Sequence, residues 1–231
     1  MEQSKVWDHF QNHESTAAAF DNARPRYAYL AKQIKPHLSA LNIGVGRGAL
    51  EAMLVEKGVV VSCLDPSDKS IAQIAERHGL GERARVGYSQ VMPFPTQHFD
   101  VVIMSEVLEH LSDDILAPTL DEVRRVLKPG GRFIGTVPAN EVLQDNQAIC
   151  PHCGETFHRW GHVQSFSLER FGGLLLAHDF VIVRNDVRAF PDWRRPSIVS
   201  FFKSLVRHSL GRLGSPIASP NLYFEARRLQ S

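Results

Sequence analysis

Apolar and polar positions along the chain alternate between two periods. Seven short apolar runs, at 39–44, 59–64, 84–88, 99–105, 132–138, 179–185 and 221–227, read as β-strands. Between the first five, a period near 3.6 predicts helices at 48–57, 68–78 and 115–127, while the link from 88 to 98 is too short and proline-rich for one. Upstream, Phe20, Tyr27, Leu30 and Ile34 recur at helical spacing, so residues 1–37 read as an N-terminal helical cap. Strands separated by helix-length segments predict βαβ units, an α/β fold whose parallel sheet is covered by helices on both faces. Pro129-Gly130-Gly131 predicts a tight turn before the strand at Phe133. Two stretches break the alternation: 139–166, rich in His and Cys, and 187–218, basic and bounded by prolines. Both read as insertions on one scaffold, so the 231 residues are expected to form a single domain.

Composition narrows the function classes. Hydrophobic residues make up 43% and charged residues 22%, as in an ordinary globular chain. A formal net charge of +1 gives no global field to recruit nucleic acid or membrane. No apolar run approaches the roughly 18 residues of a membrane span, and MEQSKVWDHF lacks the pattern of a secretory signal. With three cysteines, two of them in a CxxC, these features lead to the expectation of a cytoplasmic protein.

The first strand runs into Leu41-Asn42-Ile43-Gly44-Val45-Gly46-Arg47-Gly48. Glycines at alternate positions let the chain turn sharply and bring backbone N–H groups to a ligand. The third glycine of a dinucleotide fingerprint is missing, because Ala49 and Leu50 follow Gly48. The next strand ends at Asp65, before Pro66 and 17 residues after Gly48. A carboxylate there suits the paired hydroxyls of a ribose; the structural alternative is a helix cap or turn aspartate.

With VGYSQVMPFPTQHFDVVIMSEVLEHL at 86–111 and LDEVRRVLKPGGRFIGTVP at 120–138, the chain resembles the class I S-adenosylmethionine-dependent methyltransferases, of the type 11 kind. The resemblance is strong over 38–138. It implies a Rossmann-like, doubly wound seven-stranded sheet with the last strand antiparallel, and S-adenosylmethionine as cofactor. Carried onto matching positions, Gly44, Gly46 and Gly48 line the methionine moiety and Asp65 holds the ribose. Ser89 and Gln90 flank the adenine, Ser105 and Glu106 close the methionine end, and Asn42, Val45 and Pro66 complete the cofactor-binding set. One departure stands out: Tyr88 occupies a position where the family often has an aspartate.

Glu106, Glu109 and His110 share a face if 106–110 forms a helical turn. Two carboxylates and an imidazole suit Mg²⁺ or a similar ion, which could hold and acidify a substrate hydroxyl. His110, with Glu109, is also the candidate catalytic pair, since a neutral imidazole can act as a general base. The ExxEH pattern resembles the metal motif of methyltransferases acting on small-RNA ribose 2′-hydroxyls and on catechol-like hydroxyls in ubiquinone biosynthesis. By that resemblance His162, with His158 as fallback, supplies the fourth ligand; the structural alternative is that these side chains only brace the loop. Cys150 and Cys153, followed by His158 and His162 and with His152 in reserve, form a compressed pattern for Zn²⁺. The two metal arrangements compete for His162.

From Arg188 to Arg212 six Lys or Arg face one acid, Asp192, among apolar residues at helical spacing. Residues 190–212 therefore read as a surface helix packed on the core, as a peripheral contact with the inner membrane face, or as a lid over an apolar substrate. The expected activity is O-methylation of a small-molecule, sugar or lipid-like acceptor. The alternatives are ribose 2′-O-methylation of RNA, which the near-neutral charge disfavours, and a non-catalytic cofactor-binding or partner protein.

Overall fold

In a computed structural model, residues 22–190 and 220–229 are described. The part of the cap containing Phe20, and the basic stretch with its proposed 190–212 face, lie outside the described residues.

Strand β1 (Ser39–Ile43) is buried along nearly its whole length, and its alternating side chains enter two separate cores. Leu41 and Ile43 join Val102 and Met104 of β4 (Phe99–Ser105) on one face. There they meet Leu116, Leu120 and Val123 of α4 (Asp113–Val126) and Phe171 and Leu175 of α5 (Leu168–Ala177). Ala40 points the other way with Val101 and Ile103, packing with Leu30 of α1 (Arg24–Lys32) and Leu50 and Leu54 of α2 (Ala49–Glu56). Ile71 and Ile74 of α3 (Asp68–His78) close that side. Burial on both faces explains why the central strands read as continuous apolar runs.

Beside β1 lies β2 (Val60–Asp65), then β3 (Ala84–Val86), all parallel. On the other side come β4 and β5 (Leu127–Pro138), also parallel. Beyond β5, β9 (Asn221–Arg228) inserts antiparallel between it and β8 (Phe180–Arg188). The seven-stranded order is β3-β2-β1-β4-β5-β9-β8, and the last strand in sequence is the antiparallel one. Outside this sheet, β6 (Gln147–Ile149) and β7 (Thr156–His158) form a small hairpin.

Three expectations change. The turn at Pro129-Gly130-Gly131 is a bulge inside β5, which pairs through Leu127 with Phe99 and resumes at Arg132 with Val101. Helix α5 occupies a segment assigned to no element, capped by the Ser167 side chain, which accepts from the Arg170 N–H. Residues 106–110 are not one helical turn, because Glu106 has φ 57° and only Leu108–His110 is helical, of the 3₁₀ kind.

Sheet closeness and a buried carboxylate each generate a prediction. A Cβ on Gly135 would sit 1.8 Å from the Met104 carbonyl oxygen and 2.7 Å from Phe224 Cζ, so β5 tolerates no side chain there. Gly135→Ala is expected to destabilise the fold by about 3 kcal/mol or more, measured by denaturant unfolding. Asn42 Nδ2 donates to Glu51 Oε1 at 2.6 Å, tying β1 to the first turn of α2 within the core. Burial pushes the Glu51 carboxyl from its usual 4.5 up to about 7. The native state therefore keeps this proton longer than the unfolded chain, and Glu51 costs stability as pH rises from 4.5 to about 7, with no further loss above. Glu51→Gln should remove that decline, gaining up to about 3 kcal/mol at pH 8, as thermal melts across the range would show.

Candidate functional site

The carboxyl edge of the sheet gathers the residues of interest. After Ile43 the chain passes through Gly44, Gly46 and Gly48, with φ of 82°, 52° and 80°, before α2 begins. These left-handed conformations suit glycine. The Gly44 N–H donates to the Leu64 carbonyl at 2.9 Å, and a Cβ on Gly44 would lie 2.5 Å from Val107 Cγ2. The turn is therefore pressed between the end of β2 and the segment after β4.

Asp65 is buried at the end of β2. Its Oδ2 accepts from the Val45 N–H at 3.0 Å and its Oδ1 from the Ser67 N–H at 2.9 Å. Ser67, rather than Asp65, caps α3, its hydroxyl accepting from the Ser70 N–H. Asp65 thus braces the glycine turn as well as standing where a ribose carboxylate was expected. Pro66 next to it is exposed. Ser89 shares a 2.8 Å hydrogen bond with the Thr119 hydroxyl, Gln90 is half-buried, and Tyr88 is exposed beside them.

At the end of β4, Ser105 Oγ shares a hydrogen bond with Thr136 Oγ1 and accepts one from Arg26 Nε at 3.1 Å. Arg26 Nη1 lies 3.4 Å from Glu106 Oε2, which also accepts from Asn221 Nδ2 at 2.9 Å. Glu106 Oε1 is buried with no hydrogen-bond partner. Arg26 and Asn221 escaped the sequence reading, because 79 and 115 residues separate them from their partners.

The positive φ of Glu106 separates it from the other members of the expected four-ligand set. Glu109, His110 and His162 do come together, with one ligand atom from each within 4.8 Å of the others. Among the described residues Glu106 belongs to no such group. The loop carrying His162 is stitched to the 3₁₀ turn, since the Val163 and Gln164 N–H groups both donate to the Glu109 carbonyl. His110 Nδ1 lies 3.1 Å from the Gly161 carbonyl oxygen, and Nε2 lies 3.9 Å from Glu109 Oε1. Burial, with the Glu106 charge second, pushes Glu109 well above the carboxylate range, and neither of its oxygens has a hydrogen-bond partner. Burial and then His162 push His110 down to about 3.

Glu141, unremarked in the sequence, forms a second group with His158 and His162. It contacts both histidines, and although burial raises its carboxyl, the hydrogen bond with His162 holds it below the usual range. The His158 and His162 rings stack 4.6 Å apart, and His162 meets His110 edge-on at 4.7 Å.

The expected Cys150, Cys153 and His158 zinc arrangement is not assembled. Both cysteines lie in the connection between β6 and β7, closed by hydrogen bonds from the Cys150 N–H to Glu155 and from the Gly154 N–H to Cys150. His158 turns instead to Glu141 and His162, and among the described residues neither cysteine nor His152 joins a ligand group. Backbone N–H groups of Cys153 and His152 lower the Cys150 thiol below its usual range.

Known proteins resemble parts of this chain. Residues 41–135 match the family model described as a methyltransferase domain. A ubiquinone biosynthesis O-methyltransferase of Paramagnetospirillum magneticum is 36% identical over 101 residues, covering 42% of this chain and 39% of that protein. A sterol 24-C-methyltransferase of Gibberella zeae is 35% identical over 128 residues, covering 50% of this chain and 32% of that protein. The chain thus spans about a third to two-fifths of these curated relatives. In fold it is similar to the Burkholderia thailandensis 1,6-didemethyltoxoflavin-N1-methyltransferase, whose structure holds S-adenosylhomocysteine. That TM-score is 0.66 at 21% identity, over 98% of this chain and 87% of that one. Through residues 41–135 the chain is similar to the methyltransferase-domain family, and its seven-stranded sheet has the Rossmann-like fold of the class I S-adenosylmethionine-dependent methyltransferases.

Proposed function

We propose that this protein transfers a methyl group from S-adenosylmethionine to a hydroxyl of a small-molecule, sugar or lipid-like acceptor. The donor half of this reading rests on the glycine turn held by Asp65. Gly44 packs on Val107, and beside Val107 the orphaned Glu106 Oε1 fits an amino-acid group carrying an ammonium. Gly44, Gly46 and Gly48, with Asn42 and Val45 beside them, would receive the methionine moiety. Ser105 and Glu106 would face its amine, Asp65 the ribose, and Ser89 and Gln90 the adenine. Bound there, S-adenosylmethionine supplies a methyl group on an electrophilic sulfonium.

The acceptor half rests on Glu109, His110 and His162. The three named relatives methylate oxygen, carbon and nitrogen by name, so the family alone leaves the acceptor atom open. The Gly161 carbonyl can only accept, so His110 carries its proton on Nδ1 and offers the Nε2 lone pair to an acceptor proton. An imidazole whose proton affinity is so far lowered is a weak base. In place of that base, a divalent cation, Mg²⁺ or Zn²⁺, held by Glu109, His110 and His162 and so taking the same Nε2 lone pair, would acidify the bound hydroxyl for loss of its proton to water. It would also neutralise a buried carboxylate that has no hydrogen-bond partner.

Calorimetry tests the donor. S-Adenosylmethionine is expected to bind one per chain, and Gly44→Ala to weaken it at least tenfold, about 1.4 kcal/mol, because the added methyl meets Val107 at a left-handed position. No binding by the wild-type protein at millimolar cofactor would overturn the reading. Methyl-label transfer to panels of phenols, sugars and lipid alcohols tests the acceptor. His110→Ala should lower turnover by about 10²–10⁴-fold with cofactor affinity unchanged. Labelling confined to nitrogen or carbon acceptors would sink the hydroxyl assignment.

A further inference from the structure

Backbone geometry fixes the tautomer of His158. Its Nδ1 accepts from the His162 N–H at 3.1 Å and from the Trp160 N–H at 3.3 Å. A neutral imidazole accepting at Nδ1 carries its proton on Nε2, and that nitrogen lies 3.4 Å from Glu141 Oε1. The other Glu141 oxygen, Oε2, meets His162 Nδ1 in a short contact. A carboxylate only accepts, so the proton between them belongs to His162 Nδ1. His162 therefore keeps Nε2 as a lone pair. His110 reaches the same state by another route, with its Nδ1 proton directed to the Gly161 carbonyl.

This pattern argues against a metal seated by Glu141, His158 and His162, close as they are. Such an ion would need the Nε2 lone pair of His158, and hence a proton on the Nδ1 that two backbone N–H groups already address. The Glu109 side lacks that conflict. It offers two imidazoles whose Nδ1 protons are both engaged, and a buried carboxylate with neither oxygen hydrogen-bonded.

We propose that Glu141 is a positioning residue for the candidate metal centre. Its carboxylate takes the Nδ1 proton of His162, fixes that ring's tautomer and orientation, and leaves Nε2 as a ligand beside Glu109 and His110. His158 in turn orients Glu141. Carboxylates behind a ligating histidine raise its basicity and typically contribute 10–100-fold in metal affinity. The inference rests on the metal reading above for its consequence, but the tautomers themselves stand independently of it.

Two measurements separate these. Long-range ¹H–¹⁵N spectra of the ¹⁵N-histidine-labelled protein should show His110 and His162 as Nδ1–H tautomers and His158 as Nε2–H. Peaks are assigned by single His→Asn variants. Glu141→Ala should move His162 into a tautomer mixture, and Glu141→Gln, which keeps one acceptor, should restore part of the original state. Finding His162 as Nε2–H in the wild-type protein overturns the proposal, whether or not metal binds. The second measurement is Co²⁺ titration followed by its visible absorption. Glu109→Gln should abolish the signal, Glu141→Ala weaken binding by about 10–100-fold, and a Cys150→Ser/Cys153→Ser double variant leave it unchanged. Cofactor affinity of each variant by calorimetry reports that the fold is intact. Unaltered Co²⁺ affinity in Glu141→Ala, with Glu109→Gln inactive, overturns the positioning role while the metal reading stands. Absence of any Co²⁺ signal in the wild-type protein defeats the metal reading and with it the positioning role, leaving the tautomer assignment to the spectra.

Discussion

A parallel sheet delivers its strand ends to one edge, where backbone N–H groups leave the ladder and need acceptors. At that edge Asp65 closes two turns at once, taking the Val45 N–H from the loop after β1 and the Ser67 N–H from the loop after β2. The glycine turn keeps its left-handed shape only while this brace and the Leu64 carbonyl hold it from one side and Val107 fills the other. Val107 itself stands next to Glu106, whose positive φ bends the chain after β4. The glycine turn and the segment after β4 thus meet where Gly44 packs against Val107.

Charge is distributed unevenly across that junction. Glu106 is held by the Arg26 guanidinium and the Asn221 amide. Glu109, three residues later, is buried with neither, and its carboxyl is driven toward the protonated form. Desolvation of a carboxylate is costly unless a cation or hydrogen bonds compensate. The loop that seals Glu109 from water, by two N–H donations to its carbonyl, is the same loop that brings His162. Burial of Glu109 and the placement of His162 beside it therefore arise from one set of backbone bonds.

Much of the scaffold was legible because both periodicities are strong. All seven strand positions and helices α2 and α3 lie within a few residues of their expected places. Helix α5 was missed because glycines at 172 and 173 weaken helix propensity and its leucine run carries no clear period. The glycine turn and Asp65 were legible because they are local and their spacing reflects one βαβ unit. The cluster around Glu109 was not. Grouping Glu106 with Glu109 and His110 assumed helical geometry, which a single left-handed residue undoes. Cysteines spaced for zinc drew attention from Glu141, which sits nine residues before them and meets His158 and His162 only after the β6–β7 hairpin folds back.

That hairpin lies beyond the family match, which ends at residue 135. Proteins named for oxygen, carbon and nitrogen methylation match part of this chain or its fold, so under the proposed function the acceptor would be selected by what the scaffold carries at its open edge. Segment 139–166 supplies Glu141, His158 and His162 at that edge, and its backbone bonds to the Glu109 carbonyl anchor them. A carbon acceptor for the methyl group calls for shape and cation stabilisation more than for paired imidazole lone pairs. A hydroxyl acceptor needs its proton removed or its oxygen polarised, and a buried carboxylate with two oriented imidazoles offers both. Under the hydroxyl reading proposed above, the histidine-rich segment would favour oxygen over carbon for a reason that lies in the acceptor's chemistry rather than in the fold.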